Sequence, residues 1–414
     1  MHWQIINWIA GGILALAWFS RIVEAAIGMP HVTDIARPGW DRKPATANLE
    51  PRVSIIVPAR NEEEDIRQTL TQLLALDYSN YEVIAVDDRS TDRTGQIMDE
   101  VAASCGADTP VRLPTAPTIS EAAGKHAHPA RLKVIHIATL PSGWLGKTHA
   151  MWTAGQQATG DWLLFTDADV LFKPDSLRRA ITYAEAERAD HVVLFPRMIM
   201  KRPSERMMIA FFQALFVFGH RPWKVADPKA RDHMGVGAFN MVRRSVYDSV
   251  GTYRSLRMEV VDDMKLGKIV KNAGFAQRNV FGEDLISLHW AEGAFGIVNN
   301  LTKNFFAVLS FQWWRTVITI LGLGFLNLGP FLGVFLAHGW TRLPYAVALL
   351  SLFGIYHGMS VRSAIPSYYF FLHPVRTSLF MYTLLRSMIL TLWNDGIEWR
   401  GTKYPLEELR KGMV

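Results

Sequence analysis

The chain has 414 residues, a net charge of +6, 49% apolar and 20% charged residues, and a single cysteine. This excludes a disordered chain, which combines low hydrophobicity with high net charge, and a disulfide-stapled module, because Cys105 has no partner within the chain. A mean hydropathy of +0.08 beside 20% charge suits neither a purely soluble enzyme nor a pure membrane bundle, and points to segments of two kinds.

Ile5–Ser20 carries no charge, and the apolar pattern runs on to Ile27 past Arg21 and Glu24. About 20 apolar residues cross a bilayer, so residues 1–30 read as a transmembrane anchor. No Lys or Arg precedes the stretch, which argues against a cleaved signal peptide. Residues 50–285 read as a soluble domain. Val53–Val57 is a β-branched run ended by Pro58, and Asn61 stands as N-cap to a helix with acids in its first turn. Tyr81–Val86 is a second strand, followed by Asp87-Asp88, with Ser90-Thr91-Asp92 capping the next helix. Residues 107–130 read as a surface loop. Leu132–Ile137 and Trp162–Phe165 are further strands, and Met264–Asn272 is helical. Strands alternating with helices give an α/β sheet that binds ligands at the carboxyl ends of its strands. Phe211–Phe218 is apolar but too short to span. It suits core or a membrane-lying segment, and the need for the domain to meet the bilayer favours the latter.

Beyond an interfacial segment, 286–315, a C-terminal membrane region covers 316–393. Thr316–His338 and Leu343–Val361 are free of charge, whereas Arg376–Trp393 contains Arg376 and Arg386. That third stretch is open to three placements: spanning, interfacial, or packed within the bundle. Arg37, Arg42 and Lys43 after the anchor, and Arg400, Lys403, Arg410 and Lys411 in the tail 394–414, put domain and tail on the cytoplasmic side. One anchor and two later spans satisfy both constraints, which makes 364–393 interfacial or re-entrant.

Three acidic signals stand at segment ends: Asp87-Asp88, Asp167-Ala168-Asp169 and Asp262-Asp263. A D-x-D at a strand end sets two carboxylates near one point. Hard cations such as Mg2+ or Mn2+ take oxygen ligands and keep phosphate oxygens in their shell. A capped turn accounts for one such signal by itself. Three in one domain favour a metal–diphosphate site.

The order of Val57-Pro58-Ala59-Arg60-Asn61-Glu62, Val86-Asp87-Asp88-Arg89-Ser90-Thr91-Asp92, Gly143-Trp144-Leu145-Gly146-Lys147, Thr166-Asp167-Ala168-Asp169, Gly235–Tyr253 and Val261-Asp262-Asp263 resembles the family 2 glycosyltransferases, the inverting group with a GT-A fold (an α/β, Rossmann-like nucleotide-sugar domain). With flanking membrane helices, the chain is similar within that family to the ceramide glucosyltransferases and the hopanoid-associated glycosyltransferases. The resemblance implies that Pro58, Ala59, Arg60, Glu62, Asp87 and Asp88 hold the nucleoside of a UDP-sugar. It implies that Lys147 lies near the nucleotide, that Asp167 and Asp169 are the metal motif, and that Asp263 is the catalytic base, with Asp262 in place of the usual Glu and the two roles open to exchange. Lipid-acting relatives carry Gln-x-x-Arg-Trp. Here Gln312, Trp313, Trp314, Arg315 and Thr316 stand in its place, facing diphosphate or acceptor, although interfacial Trp and snorkelling Arg explain them equally. His289 is a weaker candidate for the diphosphate.

Such a transfer is a single displacement in which a carboxylate takes the acceptor proton and the diphosphate leaves. The implied protein sits in the bacterial inner membrane, with its catalytic domain in the cytoplasm and a lipid hydroxyl (ceramide, hopanoid or another lipid) as acceptor. A polyprenyl-phosphate sugar transferase, a polysaccharide synthase and an inactive nucleotide-sugar-binding scaffold are the competing readings. A nucleic-acid partner is not implied, because the small positive excess lies near the membrane segments, where anionic lipid accounts for it.

Overall fold

The computed structural model describes residues 2–41, 50–106, 131–363 and 365–413. The expected surface loop 107–130 lies outside them. The chain divides into two compact units. One, the sheet unit, comprises Thr33–Ile199, Val225–His289 and Gly412–Val414. The other, the helical unit, comprises Met1–Val32, Met200–Lys224 and Trp290–Lys411. The stretch 50–285 is therefore interrupted, since residues 200–224 belong with the helices.

The sheet unit is built on β1 (Val53–Ala59), β2 (Tyr81–Asp88), β3 (Arg131–Ile137), β4 (Trp162–Phe165), β5 (His191–Phe195), β6 (Asn240–Arg243) and β7 (Gln277–Phe281). These form a seven-stranded sheet in the order β3-β2-β1-β4-β6-β5-β7. β1 to β4 are parallel; β6 alone runs against its neighbours. Every residue of β1 is buried, as a central parallel strand covered on both faces requires. Successive residues feed opposite cores: Ile55 and Val57 pack with Leu70 and Leu164, and Ile56 packs with Ile84, Leu163 and Tyr247.

Pro58 does not end β1, which runs on to Ala59. β4 pairs only with Val53–Ile56, so at Pro58 the strand has one neighbour left, β2, and a missing N–H on the open side costs no ladder bond. Asp87 and Asp88 are likewise the last residues of β2 rather than the first beyond it.

Among the described residues of the helical unit, three helices are long and apolar enough to cross a membrane: His2–His31, Trp313–Leu336 and Gly339–Ser360. They coincide with the anchor and the first two C-terminal runs expected from sequence. Pro330 lies inside Trp313–Leu336 and lacks the N–H that would bond the carbonyl four residues back, at Leu326. Trp18 Nε1 donates to that carbonyl at 2.8 Å, so an anchor side chain satisfies a backbone group that lipid cannot. The His373–Trp393 helix packs against Gly293–Val308 and Trp313–Leu336 and buries a polar face of His373, Arg376, Thr377, Thr383 and Ser387. Phe211, from the short apolar run, is core of this unit, against His373 and Phe380.

Candidate active site

β1 and β2 end side by side, with Ala59 in register with Asp87. Their following loops are hooked together. The N–H of Asn61 donates to Ser90 Oγ at 3.0 Å, that of Thr91 to Asn61 Oδ1 at 2.8 Å, and that of Glu62 to Thr94 Oγ1 at 2.7 Å. Asn61 is thus not a helix N-cap. Its side chain is committed to the neighbouring loop, and the helix starts later, at Ile66 behind Asp65. Asn61 and Arg89 both adopt left-handed backbone, φ 54° and 57°. Asn tolerates this; for Arg89 it costs roughly 1 kcal/mol. The turn brings the Arg89 guanidinium back onto Asp88 in a two-bond grip, Nε to Oδ1 at 2.8 Å and Nη2 to Oδ2 at 3.2 Å. Arg60 Nη1 stands 3.9 Å from the same carboxylate.

Asp87 accepts from the Ser90 N–H at 3.1 Å and pairs with His136 Nδ1 at 3.1 Å, while His136 Nε2 meets Asp99 at 3.0 Å. Asp99 first, and Asp87 second, hold the His136 pKa above its usual 6.5. A raised folded-state pKa gives stability that is complete below the unfolded value and fades as pH rises through the folded one. The melting difference between the protein and His136→Asn should therefore be largest in mild acid and shrink above neutrality. A difference independent of pH would contradict this linkage.

The helix Gly146–Gln157 begins against Asp88. A Cβ on Gly146 would lie 2.0 Å from Asp88 Oδ2, so only glycine admits the carboxylate there. Gly146→Ala should lower stability by roughly 1–3 kcal/mol, read as a fall in denaturation midpoint. The next residue, Lys147, joins two of the acidic signals. Its Nζ is 2.7 Å from Asp167 Oδ1 and 3.8 Å from Asp262 Oδ1. Burial opposes its charge, but Asp167, Asp262 and Asp263 together hold its pKa above the usual lysine value.

Asp262 and Asp263 open the helix Asp262–Asn272, where the helix dipole favours acids. Asp262 is 3% exposed and its carboxyl is pushed up to about 7, by burial and the Asp263 charge against the pull of Lys147. Tyr253, itself buried, donates its hydroxyl to Asp262 Oδ2 at 3.3 Å. Burial also raises the Asp263 pKa, opposed by Lys147 and by the Met264 N–H, which donates to Oδ1 at 2.7 Å. The segment at Gly237 touches both acidic groups. The Asp167 N–H donates to the Gly237 carbonyl at 3.1 Å, and a Cβ on Gly237 would meet Asp167 Oδ2 at 2.5 Å. The Gly237 backbone also favours the ionised form of Asp263.

Asp169 is pushed up to about 7 by burial and by the charges of Asp167 and Glu62. Among the described residues no three His, Cys, Asp or Glu side chains form a ready-made cation cage. Mg2+ and Mn2+ bound together with a diphosphate need only one or two carboxylates, because phosphate oxygens and water complete the shell. The Asp167/Asp169 pair fits that type, and Asp169, crowded by like charge, is a group that a cation would relieve.

The structure thus gathers Lys147, Asp167, Asp262 and Asp263, and separately Arg60, Asp88 and Arg89 with Gly146. His289 is half-buried and ends the Val225–His289 stretch of the sheet unit. Gln312 precedes, and Trp313, Trp314 and Arg315 open, the Trp313–Leu336 helix of the helical unit. There both tryptophans are exposed, and Arg315 donates to Ser310 Oγ at 3.2 Å. Sequence reasoning missed a buried chain behind Asp263. Gln277 Nε2 meets His191 Nδ1 at 2.7 Å, His191 Nε2 bonds Asn240 Oδ1, and Asn240 Nδ2 donates to the Asp263 carbonyl at 3.3 Å. These residues come from β7, β5 and β6, and no local spacing announces them.

The profile "Glycosyl transferase family 2" matches residues 54–251. The 4,4'-diaponeurosporenoate glycosyltransferase of Staphylococcus haemolyticus is 23% identical over 247 residues, covering 59% of this chain and 58% of the relative. Its counterpart from a bovine strain of Staphylococcus aureus is 25% identical over 257 residues, covering 61% and 60%. The chain thus spans about three fifths of the length of these curated relatives. A mannosyltransferase of Pyrobaculum calidifontis, solved with GDP-Man and Mn2+, superposes with a TM-score of 0.51 at 18% identity, covering 94% of this chain and 99% of that one. Over residues 54–251 the chain is similar to glycosyl transferase family 2, and its sheet is of the GT-A type.

Proposed function

We propose that this chain is a membrane-embedded, inverting glycosyltransferase that moves one sugar from a nucleotide-sugar, a UDP-sugar first of all, to a membrane lipid hydroxyl, with the sheet unit on the cytoplasmic side of a bacterial inner membrane. The observation that carries the reading is the position of Lys147, 2.7 Å from Asp167 and 3.8 Å from Asp262. One cation there serves both the strand-end acidic pair and the acids that open the Asp262–Asn272 helix. In this reading Asp263 takes the acceptor proton, and Lys147 offers positive charge to the departing diphosphate. Asp167 and Asp169 would hold Mg2+ or Mn2+, whose contribution is charge stabilisation of the leaving group. Pro58, Ala59, Arg60, Glu62, Asp87 and Asp88 form the nucleoside end of the donor site. Gln312, Trp313, Trp314, Arg315 and His289 serve acceptor or diphosphate.

A second acceptor chemistry, a carboxylate oxygen, is favoured by one observation: the staphylococcal relatives are named for an acid anion. The test is incubation of the purified full chain with a panel of nucleotide sugars and a total lipid extract, followed by mass spectrometry. A lipid gaining one hexose mass supports the proposal, and its linkage, glycosidic acetal or acyl ester, separates the two acceptor chemistries. A long polymer, a sugar on polyprenyl phosphate, or no transfer at all overturns it.

A further inference from the structure

Arg376 lies in the helical unit with 0% of its surface exposed. Its Nη1 donates to the Met207 carbonyl at 3.0 Å, and its Cζ stands 5.1 Å from the Tyr356 ring centroid and 5.7 Å from that of Tyr369. Nε and Nη2 have no hydrogen-bond partner among the described residues. Nor does a nearby acid neutralise the charge. Glu205, two residues before Met207, accepts from the N–H groups of Lys201, Arg202 and Gly293 at 2.7, 3.2 and 2.9 Å. An uncompensated buried guanidinium is strongly destabilising, and two tyrosine faces offset only part of that.

The two orphan donors share one edge of the guanidinium. That is the edge with which Arg89 grips both oxygens of Asp88 in the sheet unit, and its spacing matches a carboxylate or phosphate. Arg376 shares its helix with Phe380, which packs on Phe211, and the neighbouring Phe371 and Val375 are 72% and 58% exposed. A water-soluble anion gains nothing from such neighbours, whereas an acyl chain does.

We propose that the Nε–Nη2 edge of Arg376 binds the carboxylate or phosphate head group of an anionic lipid. The site requires neither donor nor transfer, so it stands or falls separately from the proposed reaction.

The test uses the full chain in a neutral detergent, titrated with oleate or phosphatidylglycerol. Phosphatidylcholine serves as the neutral-lipid control, and sodium acetate and inorganic phosphate as the tail-less anions. Both acidic lipids should raise the melting temperature and persist as adducts in native mass spectrometry, while the controls do neither. Arg376→Gln and Arg376→Lys should each weaken acidic-lipid binding at least about tenfold, the lysine because it lacks the two-donor edge. Arg376→Met removes the orphan donors and should melt no lower than the parent when acidic lipid is absent. Three results would overturn the proposal: equal acidic-lipid binding by parent and Arg376→Gln, stabilisation by acetate or phosphate as strong as by lipid, or a lower melting temperature for Arg376→Met without lipid.

Discussion

Asp263→Asn should lower kcat for transfer to a hydroxyl acceptor by about 10²–10⁴-fold, the range of a positioned general base, with donor KM nearly unchanged. The amide preserves shape and can still accept from the Met264 N–H, which in the parent meets Asp263 Oδ1 at 2.7 Å, so folding should survive. Asp262 is poorly placed for the same duty, being 3% exposed and tied to Tyr253 and Lys147. Asp262→Asn should therefore act mainly through Lys147, raising donor KM more than it lowers kcat. If the acceptor atom is a carboxylate oxygen, no proton has to be removed, and Asp263→Asn should cost far less. Steady-state kinetics on the two variants therefore reads out the acceptor chemistry as well as the base. Unaltered kcat on a hydroxyl acceptor would remove Asp263 from the role.

Chelation of divalent cations should abolish transfer, and saturating Mn2+ should restore the parent but not Asp169→Asn. Loss of charge stabilisation on a leaving group costs about 10²–10³-fold in kcat. The geometry gives Asp167 and Asp169 unequal duties. Asp167 is held at 2.7 Å by Lys147 and by the Gly237 segment, whereas Asp169 is crowded by the charges of Asp167 and Glu62. Asp167→Asn should loosen Lys147 and weaken donor binding even when the cation is abundant, and Asp169→Asn should act chiefly through the cation. Transfer that persists in chelator, or two variants with identical donor and Mn2+ dependences, would refute this division. Isothermal titration of Mn2+ with and without nucleoside diphosphate separates the two.

Much of this was legible along the chain. Short apolar runs announced β1, β2 and β4, and acids at or just past the ends of β2 and β4 pointed to the ligand edge, because a buried parallel strand needs an apolar run and its carboxyl end faces the ligand. The three helices able to span a membrane followed from charge-free length. Side-chain commitments that cross between loops were not legible. Asn61 looks like a cap from its neighbours, yet bonds the Thr91 N–H, thirty residues away in sequence. Pro58 looks like a strand end because its freedom depends on where β4 stops pairing. The His191–Asn240–Gln277 chain is assembled by strand order alone. Phe211–Phe218 read ambiguously because an apolar face looks the same whether lipid or another helix covers it.

The division of the chain has a consequence for biosynthesis. The helical unit draws on three separate stretches, 1–32, 200–224 and 290–411, which alternate along the sequence with those of the sheet unit. As the ribosome passes residue 224, the helix Pro203–Gly219 exists without the Gly293–Val308 and His373–Trp393 helices that cover it. The nascent chain must keep an apolar surface shielded until the last hundred or so residues emerge, a delay that exposes sticky intermediates. A fragment cut at 50–285 would keep that bare helix permanently. It should be recovered from the insoluble fraction, whereas the full chain extracted in detergent stays monodisperse on size-exclusion chromatography.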